Sequence, residues 1–135
     1  MKATGRCLCG AVAFTADEVE SGFHVCHCSM CRRWSGGPLF SIGVGSVRFD
    51  DETHLRRFES SAWAERGFCG KCGSSLFYRL KSADQYVINL GVFDDQSPFA
   101  IAGEIYVEDK PPGYHLAGDH PRMTGDEFLA SLQKQ

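Results

Sequence analysis

Three thiols lie within six residues in the stretch CHCSMC, Cys26 to Cys31. The first two have the spacing of same-side residues in an extended segment, and the last two have the Cys-x-x-Cys spacing of a metal-binding turn. At a zinc–sulfur distance of about 2.3 Å, three thiolates fit around one ion in so compact a loop. A zinc with three protein ligands keeps one position for water or substrate, which is the arrangement of a catalytic site.

Other interpretations of this cluster stay open at the level of sequence. His27 could be a fourth ligand, although an extended segment directs its side chain away from its neighbours. His24 could ligate the metal or simply pack nearby. The three thiols could hold one structural zinc together with another residue, and a Cys-x-x-Cys pair could also carry redox chemistry.

The four other cysteines form two separate pairs. Cys69 to Gly73, CGKCG, has the composition and spacing of a zinc knuckle, and Cys7 with Cys9 is a shorter pair. Structural zinc takes four ligands, so neither pair suffices alone. Two pairs on one zinc would link the N-terminal strand to the middle of a sheet. The spacing does not force this partnership, because Cys26 and Cys28 could instead join either pair.

Arg32, Arg33 and Trp34 directly follow the three thiols. The planar fork of an arginine suits recognition of a carboxylate, so we expect these residues to contact a substrate. The competing interpretation is that the arginines offset thiolate charge and that Trp34 belongs to the core.

The composition predicts a single globular domain over residues 1–135, with 43% apolar and 23% charged residues. Fourteen Lys and Arg against 17 Asp and Glu give a net charge of −3, which weighs against nucleic-acid binding.

Seven cysteines, an odd number in tight clusters, indicate metal ligation in a reducing cytoplasm rather than disulfides. We expect no signal peptide and no membrane span, because no long apolar run is present.

Short runs rich in Val, Ile, Phe and Tyr, separated by turn residues, predict a mainly β fold. The predicted strands lie at 11–14, 38–44, 46–49, 74–80, 85–93 and 104–107. A helical turn or two is expected over 28–35, and a long, partly irregular excursion over 94–123.

A short C-terminal helix is predicted to begin after Thr124, which stands three residues before Glu127 with the spacing of a capping box. Phe128, Leu129 and Leu132 would then pack inward.

Taken together, the clusters C-x-C-G, C-H-C-x-x-C-R and F-C-x-x-C-G resemble those of the glutathione-dependent formaldehyde-activating enzyme (GFA) family. The resemblance runs from Cys7 to at least Asp95 and includes all seven cysteines. It implies a zinc-stabilised β fold called a β-tent, with two zinc sites. The implied ligands are Cys7, Cys9, Cys69 and Cys72 for a structural zinc, and Cys26, Cys28 and Cys31 for a catalytic zinc.

The resemblance also implies carbon–sulfur lyase activity, the interconversion of S-(hydroxymethyl)glutathione with glutathione and formaldehyde. Arg32 or Arg33 would then lie near a glutathione carboxylate. Two positions depart from the family pattern: Glu104 stands where a His is frequent, and Gly113 where a Trp is frequent.

Three rival functions are weighed against the lyase. The first is a non-catalytic module with two structural zincs that binds a protein partner. A methionine sulfoxide reductase of the B type needs a nucleophilic cysteine on a late strand, but no cysteine follows Cys72. A zinc-ribbon nucleic-acid binder is disfavoured by the acidic charge balance.

Overall fold

The computed structural model describes residues 1–133, which form two β-sheets and two short helices. The strands are β1 Ala3–Arg6, β2 Ala13–Asp17, β3 Gly22–Cys26, β4 Leu39–Gly43, β5 Ser46–Phe49, β6 Leu55–Glu59, β7 Ala64–Cys69, β8 Ser75–Leu80, β9 Gln85–Asn89 and β10 Ala100–Ile105. The helices are α1 Ser29–Ser35 and α2 Gly125–Leu132, with single 3-10 turns at Leu90–Val92 and Val107–Asp109.

The smaller sheet has the strand order β1-β2-β5, and the larger has the order β10-β3-β4-β9-β8-β7-β6. All neighbouring strands are antiparallel except β10, which runs parallel to β3. The expected fold class, mainly β with a short C-terminal helix, is confirmed. The expected domain boundaries at residues 1–135 stay a prediction.

An aromatic core lies between the two sheets. Phe77 is 1% exposed, and its ring centroid lies 5.5 Å from that of Phe49 on β5 and 5.0 Å from that of Tyr86 on β9. Gly67 on β7 leaves room for this ring, because a Cβ there would lie 2.1 Å from a Phe77 ring carbon. The core therefore fixes β7, the strand that ends at Cys69 of one cysteine cluster and carries Arg66, which contacts the other.

Six predicted strand regions overlap observed strands, but four observed strands, β1, β3, β6 and β7, were not predicted. Strands β6 and β7 have the sequences LRRFE and AERGFC, whose charged residues obscure the apolar alternation. These charges pair across the strands, as between Arg57 Nη1 and Glu65 Oε1 at 2.8 Å. Strand β9 ends at Asn89 rather than at residue 93, because a 3-10 turn begins there. The expected excursion over 94–123 contains strand β10.

The C-terminal helix has the predicted capping box, with both bonds between Thr124 and Glu127 present. Its predicted inward packing is wrong for Leu129 and Leu132, which are 48% and 49% exposed. The helix contacts Tyr106, the residue after β10, through the Gly125 backbone and through Phe128, whose ring centroid lies 6.5 Å from that of Tyr106. Within residues 1–133, no helix has the length and apolarity needed to cross a membrane.

Candidate metal centres and adjoining cavity

The first cysteine cluster brings together residues from distant parts of the chain. The Sγ atoms of Cys7, Cys9, Cys69 and Cys72 all lie within 4.8 Å of one another. Cys7 follows β1 and Cys69 ends β7, so this cluster joins the two sheets. A group of four thiols within this distance could hold one metal ion in the closed tetrahedron of a structural site. The sulfurs of Cys26 and Cys28 are not part of it.

Local hydrogen bonds prepare the first cluster for metal binding. Two backbone amides, those of Lys71 and Cys72, donate to Cys69 Sγ at 3.4 Å. Gly73 adopts φ 80°, a left-handed conformation that closes the knuckle without a Cβ penalty. Hydrogen bonding to Ser74 lowers the pKa of the Cys72 thiol to about 5, which favours the thiolate that a metal requires.

The second cluster consists of Cys26, Cys28 and Cys31, whose Sγ atoms also lie within 4.8 Å of one another. Cys26 ends β3, Cys28 is the N-cap of α1, and Cys31 lies in its first turn. Cys26 and Cys31 are buried and Cys28 is half-buried. The pKa of Cys28 is lowered, first by a hydrogen bond with the Cys26 thiol and second by one with the Cys31 thiol. The pKa of Cys26 is raised by its hydrogen bonds with Cys28 and Cys31.

In residues 1–133, no fourth His, Cys, Asp or Glu ligand atom groups with these three sulfurs. His27 is fully buried, but its ring is hydrogen-bonded to Glu104 and lies near Tyr114, so it does not join the thiols. His24 is likewise outside both clusters and lies beside the backbone of Gly103. The three thiols therefore form a group that could hold a metal ion, and their role as ligands of a catalytic zinc stays a prediction.

A buried polar network lies directly behind the second cluster and was not predicted. The Glu104 carboxylate is 2% exposed; its Oε1 is 2.7 Å from His27 Nε2 and its Oε2 is 2.5 Å from His120 Nε2. Arg122 Nε is 2.9 Å from the same Oε2. Burial alone would raise the pKa of Glu104, but these hydrogen bonds and the nearby positive charges lower it. Glu104, which stands where a His is frequent in the family, is therefore held by its partners on both carboxylate oxygens.

Arg66 on β7 also contacts the second cluster, and it was not singled out in the sequence analysis. It is 4% exposed, and its Nη1 and Nη2 each lie 3.6 Å from Cys31 Sγ. Its guanidinium carbon lies 5.1 Å from the ring centroid of Trp34 and 5.2 Å from that of Tyr78. Arg66 lies two residues after Ala64, so the two side chains share one face of β7, but this strand was not predicted.

Arg32 and Arg33 line a cavity of about 500 Å³ together with Ser29, Tyr114 and the segment 36–38. Arg32 Nε donates to the carbonyl oxygen of His27 at 2.9 Å, which fixes one end of its guanidinium. The cavity thus carries two positive charges next to the loop of the second cluster. The contact of either arginine with a substrate stays a prediction.

Trp34 is half-buried and packs against Cys26, Cys31 and Leu39, and the residues that line the cavity do not include it. Its position agrees with the interpretation that it belongs to the core, and a substrate contact at Trp34 stays a prediction.

Comparison with known proteins identifies relatives over most of the chain. A protein of Schizosaccharomyces pombe, described as an uncharacterized lyase, is 29% identical over 132 residues, or 96% of each chain. A Halomonas elongata protein, described as a "putative glutathione-dependent formaldehyde-activating enzyme", is 31% identical over 83 residues, covering 54% of this chain and 53% of its own. A crystal structure of a Rhodobacter sphaeroides protein has a TM-score of 0.56 at 21% identity, covering 88% and 98% of the two chains, and shows the same fold.

The fold and its two thiol clusters define a β protein with one four-thiol and one three-thiol group that could each hold a metal ion. The sequence profile described as "Glutathione-dependent formaldehyde-activating enzyme" matches residues 2–109, and the chain belongs to this family. The resemblance found in the sequence is confirmed, and the chain is a lyase-like enzyme.

Proposed function

We propose that the chain is a zinc-dependent carbon–sulfur lyase that interconverts S-(hydroxymethyl)glutathione with glutathione and formaldehyde, or that it acts on a related thiol adduct. The observation that carries the proposal is the second cluster, Cys26, Cys28 and Cys31, which has no fourth His, Cys, Asp or Glu ligand in the described part of the chain. Family membership supports the reaction class.

Zinc fits both clusters because thiolates are the soft ligands that it prefers. The four-thiol cluster would hold a structural zinc, and the three-thiol cluster would hold a second one. When bound there, zinc supplies Lewis acidity toward a thiol sulfur or a hydroxymethyl oxygen. We propose a cytoplasmic location for the enzyme, because reduced thiols are required at both clusters and persist in that compartment.

In the cleavage direction, the carbon–sulfur bond breaks and its electron pair stays on sulfur. The hydroxymethyl O–H gives its proton to water as the carbonyl of formaldehyde forms, and the departing thiolate takes up a proton when it is released as glutathione. In this proposal Arg32 and Arg33, which line the adjoining cavity, bind the glutathione carboxylates through charge-assisted hydrogen bonds. Holding the peptide there would keep its sulfur beside the three thiols during the reaction.

The first experiment measures lyase turnover of the Cys28→Ser variant with S-(hydroxymethyl)glutathione formed from glutathione and formaldehyde. We expect kcat/KM to fall about 100-fold or more, because one ligand of the proposed catalytic set is lost. Met30→Leu is the matched control, since Met30 lies in the same loop with a 42% exposed side chain and should keep kcat/KM within about threefold. Equal turnover by Cys28→Ser and Met30→Leu would rule out a catalytic role for the three thiols.

The rival function, a partner-binding module with two structural zincs, is separated from the enzyme by zinc stoichiometry and exchange kinetics. One tightly held zinc and one labile zinc favour the enzyme, because an incomplete ligand set leaves the second zinc accessible. Two inert zincs favour the module.

A further inference from the structure

The buried guanidinium of Arg66 is held against one sulfur of the second cluster. Both terminal nitrogens lie 3.6 Å from Cys31 Sγ, and the guanidinium carbon lies over the rings of Trp34 and Tyr78. Two N–H groups on one sulfur and two aromatic faces leave the guanidinium little freedom to turn away. This contact is therefore a fixed feature of the site.

Among residues 1–133, no carboxylate lies within 4.0 Å of the Arg66 guanidinium, although the residue is 4% exposed. A buried charge without a partner is strongly unfavourable, so the thiols must supply the opposite charge. The other buried charged group nearby, Glu104, is already paired with Arg122. Arg66 is thus the cation assigned to the second cluster.

The charge balance of the two clusters then differs. Four thiolates with one divalent zinc carry a charge of −2, which suits a closed site. Three thiolates with zinc carry −1, and Arg66, whose guanidinium contacts a sulfur of the cluster, brings the sum over these contacting groups to zero, whereas Arg32 and Arg33 line the adjoining cavity. A neutral site accepts an anionic fourth ligand, whereas a site of charge −1 repels it, and this repulsion is strong where water is excluded.

We propose that Arg66 makes the second cluster select an anionic fourth ligand, so that the thiol of the substrate is bound in its thiolate form. This inference rests on the proposed function, because it requires an open position at the second cluster. Arg66 acts here as a positioning and charge-setting residue, since it contacts a ligand sulfur rather than the substrate.

The test uses the full-length protein loaded with two equivalents of cobalt(II), whose visible spectrum reports the fourth ligand. Two probes are titrated: 2-mercaptoethanol, which binds through an anionic sulfur, and imidazole, which is neutral. In Arg66→Met we expect the dissociation constant for 2-mercaptoethanol to rise at least tenfold, about 1.4 kcal/mol, while that for imidazole changes less than about twofold. Equal changes for the two probes, or no change for either, would overturn the inference.

Two further variants separate charge from shape. Arg66→Lys keeps the positive charge but loses the fork, so we expect its affinity for 2-mercaptoethanol to stay within about threefold of wild type. A tenfold loss of affinity for 2-mercaptoethanol in Arg66→Lys would refute a charge effect. If Arg66→Met fails to fold, the comparison of Arg66→Lys with wild type still tests the inference. Arg57→Met is the control, because Arg57 also lies over aromatic rings, Phe77 and Tyr86, but pairs with Glu65 away from the thiols.

The same titration distinguishes failure of the inference from failure of the proposed function. If the wild-type cobalt protein takes up neither probe, the second cluster has no open position and the lyase proposal fails with it. If the wild type binds both probes and Arg66→Met binds them equally well, only the role of Arg66 is lost.

Discussion

Replacing Glu104 by Gln tests whether the buried network supports the second cluster. The carboxylate accepts from His27 on one oxygen and from His120 and Arg122 on the other, and it is 2% exposed. The amide of Gln has the same shape but no charge, and it turns an N–H toward one of these donors. A hydrogen bond to a charged group contributes about 1.5–3 kcal/mol. We expect the free energy of unfolding to fall by about 2 kcal/mol, or the Tm by roughly 6–10 °C.

The same change should weaken metal binding at one cluster only. His27 lies between Cys26 and Cys28 in the chain, and its N–H donates to the carbonyl of Ile105 at 3.1 Å. Releasing its ring from Glu104 leaves the backbone between the two thiols less restrained. Substitution of a residue that orients metal ligands commonly lowers metal affinity by about 10–100-fold. We therefore expect the dissociation constant of zinc at the second cluster to rise at least about tenfold. The zinc of the four-thiol cluster should be unaffected.

The assay is urea unfolding of the zinc-loaded protein, combined with competition for zinc by a chromogenic chelator. Glu59→Gln is the control, since Glu59 pairs with Lys81 at 2.7 Å but is 74% exposed, and exposed ion pairs contribute little. If Glu104→Gln unfolds like Glu59→Gln and retains both zincs with wild-type affinity, the network has no supporting role and the reasoning fails.

Three further predictions concern the scaffold. Gly67→Ala should lower the unfolding free energy by about 1–3 kcal/mol in urea titrations, because the new methyl group meets the buried Phe77 ring; an unchanged midpoint would show that the ring can move aside. Cys69→Ser should bind no zinc at the first cluster by elemental analysis and should unfold at lower temperature, whereas a full complement of two zincs would contradict the assigned ligands. Thr124→Ala should lose about 1 kcal/mol, because the hydroxyl accepts from Glu127 N at 3.1 Å; thermal unfolding indistinguishable from wild type would mean that the helix contributes nothing to the fold.

The sequence predicted the cysteine clusters because ligand spacing within a loop is a local property. Spacing alone left open which pairs would combine, and only the family resemblance implied it, since Cys9 and Cys69 lie 60 positions apart and meet, at 3.9 Å between sulfurs, through the pairing of strands. The three-thiol group needed no such information, because all three sulfurs belong to one short loop.

The buried charged contacts that the sequence did not predict share a physical cause. Charged residues usually lie on the surface, so the burial of Arg66 and Glu104 could not be predicted from their types, although Glu104 falls within a predicted strand. Their burial depends on partners far away in the chain: Cys31 for the arginine, and His27 with His120 for the glutamate. Such pairings become visible only when the fold brings the partners together.

Strand β7 connects these observations into one physical arrangement. It carries Arg66, which contacts the second cluster, and ends at Cys69, which belongs to the first. Metal binding at the four-thiol cluster would hold the end of β7 in place and thereby hold the guanidinium three positions earlier on the same strand. The four-thiol cluster would then contribute more than stability to the fold, because it would position the charge that lies against the three-thiol cluster. Cys26 ends β3, and Cys28 and Cys31 belong to the cap and first turn of α1, so metal binding at the second cluster would act on β7 through the same Arg66–Cys31 contact.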